Sequence, residues 1–215
     1  MIIALVSNKG GVGKTTLSMN VASGLNRRAS TGILDADPQQ SSTHWARVGN
    51  LSGFKSPDLV TLSSDIPFGE QVKQLAEKHE YVVIDCPPSI DSRETHHALR
   101  VADVAVVPVQ PSPVDLWATV HIANVVRDAR QDNPDLEAYI ILNQLEPRTT
   151  LSRVMQSAAG QLGLPALNTA LRRRAVYRNC LLDGRTVYDS GARGAEAVEE
   201  IEAIIEEIFI HEPVC

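Results

Sequence analysis

Residues Lys9-Gly10-Gly11-Val12-Gly13-Lys14-Thr15-Thr16 decide how this chain reads, because they form a phosphate-binding loop with one lysine more than such a loop needs. The stretch before it, Ile2 to Val6, is an unbroken apolar run of strand length, and the stretch after it, Lys14 to Leu25, repeats apolar residues at helical spacing through Leu17, Val21, Ala22 and Leu25. Strand, glycine-rich turn and helix in that order make a cradle. The glycines let successive N–H groups converge on a phosphate, and the helix adds its positive dipole end. Lys14 is then placed for the β- and γ-phosphates of a nucleotide, the Thr15 hydroxyl for Mg²⁺ and Thr16 for the α-phosphate. The general pattern asks for glycine at position 8, where this chain has Asn8, so the loop is a variant. Lys9 lies outside the requirement and needs its own explanation.

Outward from the loop, apolar runs of strand length recur at Thr31 to Leu34, Leu59 to Leu62, Tyr81 to Ile84, Val104 to Val107 and Tyr139 to Leu142. Helical patterns separate them: Lys14 to Arg27, Ser42 to Val48, Phe68 to His79, Arg93 to Val101, Pro113 to Gln131, Leu151 to Gly163, Ala175 to Leu182 and Gly191 to Phe209. This alternation predicts a single α/β domain over 1–215, a mainly parallel twisted β-sheet flanked by helices on both faces. A chain of 215 residues that is 43% hydrophobic is long enough for one such core and leaves no room for a second catalytic domain. In the last helix Val198, Ile201, Ile204, Ile205 and Ile208 form one stripe, with a face of glutamates expected in solvent.

Two further strand ends carry carboxylates. Ile33-Leu34-Asp35-Ala36-Asp37-Pro38-Gln39 puts two at the carboxyl edge of a parallel sheet, where such folds bind ligands, and Pro38 stops the strand. A carboxylate there can orient or deprotonate the attacking water. Val82-Val83-Ile84-Asp85-Cys86-Pro87-Pro88 ends a buried strand in Asp85, the aspartate that a Mg²⁺-bound water needs opposite the loop. Cys86 has no base beside it and is read as filling space. Asn143, ending Ile140-Ile141-Leu142, can both donate to and accept from a nucleobase.

Charge is uneven. The net charge is −6, yet residues 170–195 hold six arginines against two aspartates, and residues 196–215 hold seven glutamates with no lysine or arginine. The basic stretch is thus a candidate surface for an anionic partner despite the acidic total. The three cysteines, Cys86, Cys180 and Cys215, lie at no metal-ligand spacing, and no apolar stretch approaches a membrane span, so a soluble, cytoplasmic protein is expected.

Lys9 through Thr16 resembles the deviant Walker A signature, K-G-G-x-G-K-[ST], of the ParA/MinD family of ATPases. The resemblance extends to the D-x-D-P-Q stretch Asp35 to Gln39, to Asp85-Cys86-Pro87-Pro88, and to Pro108 through Asp115, which matches the P-x-x-P-S-P-x-D of small ParF-type plasmid-partition ATPases. It also takes in the ending from Arg174 through Tyr177, Leu182-Asp183-Gly184 and the turn at Ala192-Arg193-Gly194.

The resemblance implies ATP and Mg²⁺ as cofactors, and a homodimer in the ATP state in which Lys9 reaches the partner subunit's nucleotide. It gives Asp37 water activation, and leaves Asp35 either in the Mg²⁺ shell or capping its strand. Asn143 and the Pro111 loop frame adenine. Arg172, Arg174, Arg178 and Arg193 are implied as contacts to non-specific DNA, placing the protein on the nucleoid. A ParB-like or other adaptor stimulates hydrolysis. The expected cargo is a plasmid, with a protein cargo such as carboxysomes as the alternative.

Two other readings differ in kind. A MinD-like membrane-associated ATPase needs a basic amphipathic last helix, and this one is acidic. An iron–sulfur reductase needs cysteines to hold a bridging cluster, and Cys180 and Cys215 lie in no ligand-like motif.

Overall fold

The computed structural model describes residues 1–146 and 163–210. The helix expected from Leu151 and the residue Cys215 fall outside the described residues.

Six strands, β1 (Ile2–Leu5), β2 (Thr31–Asp35), β3 (Asp58–Thr61), β4 (Tyr81–Asp85), β5 (Val104–Val109) and β6 (Glu137–Leu142), form one sheet. Their order is β3-β2-β4-β1-β5-β6, and every pairing is parallel. Helices α1 (Lys14–Asn26), α2 (Ser41–Leu51), α3 (Phe68–Ala76), α4 (Arg93–Val101) and α5 (Pro113–Ala129) link the strands, and α6 (Ala175–Asp183) and α7 (Ala195–Ile210) follow. All six expected strands are present, shifted by no more than a residue or two at their ends.

The apolar runs behave as strands because the sheet is covered on both faces, so successive residues must all be apolar. In β1, Ala4 joins a core built with Phe68, Val72, Leu99, Ile122 and Val126, while Ile3 and Leu5 join a second core with Leu17, Val21, Trp45, Ile201 and Ile205. Helices α3, α4 and α5 therefore cover one face, and α1, α2, α6 and α7 the other. Each of these fully buried Leu, Ile, Val or Phe side chains contributes about 1.5–3 kcal/mol against exposure.

The topology fixes where a ligand can sit. From β1 the chain winds one way to β2 and β3, and from β4 it winds the other way to β5 and β6. The connections diverge beyond the carboxyl ends of β1 and β4, whose last residues, Leu5 and Asp85, lie in register. Such a switch point opens a crevice at the strand ends.

One correction and one addition to the sequence reading concern the carboxy-terminal part. The glutamate face of α7 is a seam more than a solvated surface. Glu207 accepts from the backbone N–H groups of Asn168 (2.6 Å) and Thr169 (2.7 Å), Glu202 accepts from Tyr188 and Arg28, and Glu196 and Glu200 hold Arg174. In addition, residues 165–173 run beside β6. Ile140 N–H donates to Pro165 (2.8 Å), Leu167 to Ile140 (2.9 Å), Leu145 to Leu171 (2.9 Å) and Arg173 to Leu145 (3.0 Å). This covers the open edge of the sheet and carries the arginine triplet to the crevice.

Candidate nucleotide site

The loop after β1 is held open by backbone geometry that only glycine takes easily. Gly11 and Gly13 adopt left-handed φ angles of 79° and 87°. A Cβ on Gly13 would also stand 2.3 Å from the Asn143 amide nitrogen, so this position requires glycine twice over. Gly10 and Gly11 form a turn, and among the described residues no backbone N–H from Gly10 through Thr16 makes a close, well-aligned hydrogen bond to a backbone carbonyl. These orphan donors at the start of α1 suit a chain of phosphates, which accepts hydrogen bonds and welcomes the helix dipole.

Asp85 is the centre of the polar floor and is fully buried. It accepts from Lys14 Nζ at 2.9 Å, from Ser18 Oγ at 3.0 Å and from the Ser42 hydroxyl. Lys14 is itself only 5% exposed. Burial of two opposite charges is tolerable because they meet each other and because two hydroxyls satisfy the remaining carboxylate lone pairs. Ser18 and Ser42 escaped the sequence reading. Ser18 lies four residues after Lys14, on the same helix face, a spacing that could have flagged it.

The two aspartates of the second strand part company. Asp35 takes both the backbone N–H and the hydroxyl of Thr43 at 2.8 Å, and the Asp37 N–H at 3.2 Å. Its carboxylate thus ties the end of β2 to the first turn of α2. Burial pushes its pKa up, opposed by the Thr43 hydrogen bonds. Asp37 lines the groove with Lys9 to Thr16. One Asp37 oxygen accepts from Gln39 N–H at 2.9 Å, and the other has no protein partner among the described residues. Among the described residues no three His, Cys, Asp or Glu side chains converge as a metal site. A divalent cation would therefore need the nucleotide's own oxygens besides Thr15.

Two cavities meet at the loop. A groove of about 840 Å³ is lined by Lys9 through Thr16, Asp37, Ser41 and Trp45. Beyond Gly13 and Thr16 a narrower cavity of about 190 Å³ runs between Asn143, Leu171, Arg174 and Tyr177. The first has the donors for phosphates, and the second has the apolar walls and amide that a base requires. Asn143 stands at the join, its amide donating to the Val12 carbonyl at 2.6 Å and its oxygen accepting from Gln144 N–H at 2.8 Å. Pro111 lines neither cavity.

Lys9 pairs with Asp115, which lies in the first turn of α5 under the Ser112 cap. The lysine is half exposed while Asp115 is buried. The arginines divide as well. Arg174 is held by Glu196 and Glu200 and is 21% exposed, Arg172 approaches Glu200 at 3.8 Å, and Arg173 meets Glu146 at 3.0 Å. Hydrogen bonding to Glu200 raises the Arg174 pKa further. Arg174 is thus tied to α7 at the base cavity, where the resemblance had implied a contact to DNA. Arg178 and Arg193 are exposed and, among the described residues, form no ion pair.

A parallel sheet with a phosphate loop at its switch point, a buried Lys14–Asp85 pair and Asp37 beside the loop defines a P-loop nucleotide-binding ATPase. The chain belongs to the CobQ/CobB/MinD/ParA nucleotide binding domain family, which it matches over residues 3–187. It is 42% identical over 208 residues to the maintenance of carboxysome distribution protein A of Halothiobacillus neapolitanus, covering 96% of this chain and 95% of that one. The protein of the same name from Gloeobacter kilaueensis is 30% identical over 212 residues, covering 96% and 93%. A solved complex of a Cyanothece McdA variant with ATP has the same fold, with a TM-score of 0.72 at 16% identity, covering 100% of this chain and 98% of that one. The chain is a ParA-like positioning ATPase. No helix of the described residues is long and apolar enough to cross a membrane.

Proposed function

We propose that this ATPase distributes carboxysomes, working as an ATP-driven dimer on non-specific DNA. The observation that carries the cargo is the 42% identity to a carboxysome distribution protein along nearly the full length of both chains. That likeness favours the carboxysome alternative over the plasmid expected from the ParF-type motifs.

The residues divide the work. The N–H groups from Gly10 to Thr16 and the Lys14 ammonium hold the phosphates of ATP, and the cavity between Asn143 and Tyr177 takes adenine. The Thr15 hydroxyl and Asp85 would hold Mg²⁺, which would supply neutralisation of phosphate charge. Asp37, with one oxygen fixed by Gln39 N–H, orients the attacking water by its other oxygen. Lys9 leaves Asp115 and completes the site of a second copy, a trans cation of the kind worth about 10³–10⁵ in rate. Arg178 and Arg193, doubled in the dimer, meet DNA phosphates. An adaptor protein on the cargo stimulates hydrolysis and release.

The test is complementation in Halothiobacillus neapolitanus lacking its own distribution protein, with carboxysomes imaged by a labelled shell component. Evenly spaced carboxysomes with this chain, and clustered ones with its Lys14→Ala variant, are expected. Carboxysomes that stay clustered while the chain is made, hydrolyses ATP and retains a test plasmid would return the cargo to the plasmid reading.

A further inference from the structure

A phosphate loop works only if its peptide units are turned so that N–H groups face the ligand and carbonyls face away. In a trans peptide the two groups point in opposite directions, so whatever holds the carbonyl sets the direction of the next residue's N–H. Three carbonyls of this loop have side-chain partners. Ser7 Oγ donates to the Lys9 carbonyl at 3.2 Å and Asn143 Nδ2 to the Val12 carbonyl at 2.6 Å. The Gly11 carbonyl has two donors, Gln110 Nε2 at 3.0 Å and Gln144 Nε2 at 3.3 Å. Leu17 N–H closes the series on the Gly13 carbonyl at 2.9 Å.

We propose that Gln110 and Gln144 are positioning residues for nucleotide binding, a pair of carboxamides that clasp the Gly11 carbonyl and thereby aim the Val12 N–H at the phosphates. The proposal rests on the nucleotide reading above and adds two residues that no motif supplies. Gln110 follows β5 and Gln144 follows β6, so the clasp ties the loop after β1 to the ends of the two strands beyond it in the sheet.

Gln144 has a backbone conformation that makes sense only in this light. Its φ is 59°, in the left-handed region where a long side chain is disfavoured and glycine is easy. The strain is offset if the side chain is needed at Gly11. Glycine at position 144 would relieve the backbone and remove one of the two donors, so nucleotide affinity falls without a matching loss of stability.

The shared acceptor makes a second signature. With two donors on one oxygen, losing either leaves the other in place, and losing both frees the peptide to turn. Binding of mant-ADP is measured by fluorescence titration on the full chain, with melting temperature recorded for the same variants without nucleotide. Gln110→Ala and Gln144→Gly singly are expected to weaken binding by no more than about 3-fold, and together by about 10-fold, the scale of one or two partly exposed neutral hydrogen bonds. Gln144→Gly melts no lower than wild type. Gln144→Asn, which tolerates the same φ with too short an amide, loses affinity like the glycine variant.

A double variant that binds within 3-fold of wild type overturns the clasp, as does an affinity loss that tracks a fall in melting temperature. A wild-type chain that takes up no mant-ADP overturns the nucleotide reading and the clasp together. Binding by wild type and double variant alike removes the clasp alone.

Discussion

Replacing Asp85 by Asn removes the buried negative charge on which Lys14 rests. The pair is almost dry, with side-chain exposures of 6% for Lys14 and 0% for Asp85. Breaking such a pair from one side costs about 3–5 kcal/mol, because the remaining charge is left without a partner. Asparagine keeps one acceptor for the Ser18 or Ser42 hydroxyl, which puts the expected loss near the lower end, about 3 kcal/mol. At about 2–4 °C per kcal/mol for a chain of this size, the melting temperature falls by roughly 6–12 °C. The assay is urea unfolding and thermal melting of the nucleotide-free protein, repeated with ADP in the absence of Mg²⁺. Phosphate gives the stranded Lys14 ammonium a new partner, so ADP should raise the melting temperature of the variant by more than it raises wild type. Lys14→Ala should be destabilised similarly and gain nothing from ADP. A variant as stable as wild type, or an equal ADP shift in both, refutes the claim that Asp85 and phosphate compete for Lys14.

Three further outcomes follow from the same geometry. Asp115→Asn releases Lys9 from its own subunit; the lysine is half exposed and the pair is worth under about 1 kcal/mol per protomer, so ATP-dependent dimerisation in sedimentation should tighten about 3- to 10-fold, and weaker dimers would count against the cis contact as a brake. Arg178→Ala and Arg193→Ala should leave melting unchanged while each lowers the salt slope of non-specific DNA binding by about 1, whereas Arg174→Ala, which cuts α7 from the base cavity, should lower the melting temperature first. Burial pushes the Cys86 thiol up to about 12, so at pH 8, where a free thiol near pKa 8.5 is about a quarter ionised, it stays neutral; peptide mapping after iodoacetamide should find Cys86 alkylated only in denaturant, and rapid native labelling would show the site to be open.

The sequence was legible where chemistry is local. Ile2 to Val6, the glycine turn and Leu17-Val21-Leu25 lie within a few dozen bonds of one another, and their periodicities specify strand, loop and helix without help from the rest of the chain. The same holds for Asp85, which ends β4, and for Asp37, two residues beyond β2, because a carboxylate at the end of a buried strand is delivered to the sheet's carboxyl edge whatever the neighbours are. Thr43 could not be read this way: it lies eight residues beyond Asp35, and only the turn of the chain into α2 brings its N–H and hydroxyl to that carboxylate.

Local pattern was thus enough for the fold class, the phosphate loop and the placing of Asp37 and Asp85 at the sheet's carboxyl edge. What the tertiary structure decided is which partner each charged or amide group keeps. Arg172 to Arg174 read as a free basic patch until residues 165–173 ran along β6 and laid them between α7 and the nucleotide cavity. Lys9 read as a residue reaching for another subunit, and the fold gives it a partner within its own chain in Asp115, over a hundred positions away. Gln110 and Gln144 carried no signal at all, since a glutamine's meaning depends on which carbonyl it reaches. The physical reason is common to all three: apolar burial is set by local periodicity, while hydrogen bonds and ion pairs act over about 3 Å and are assigned only when strands distant in sequence become neighbours.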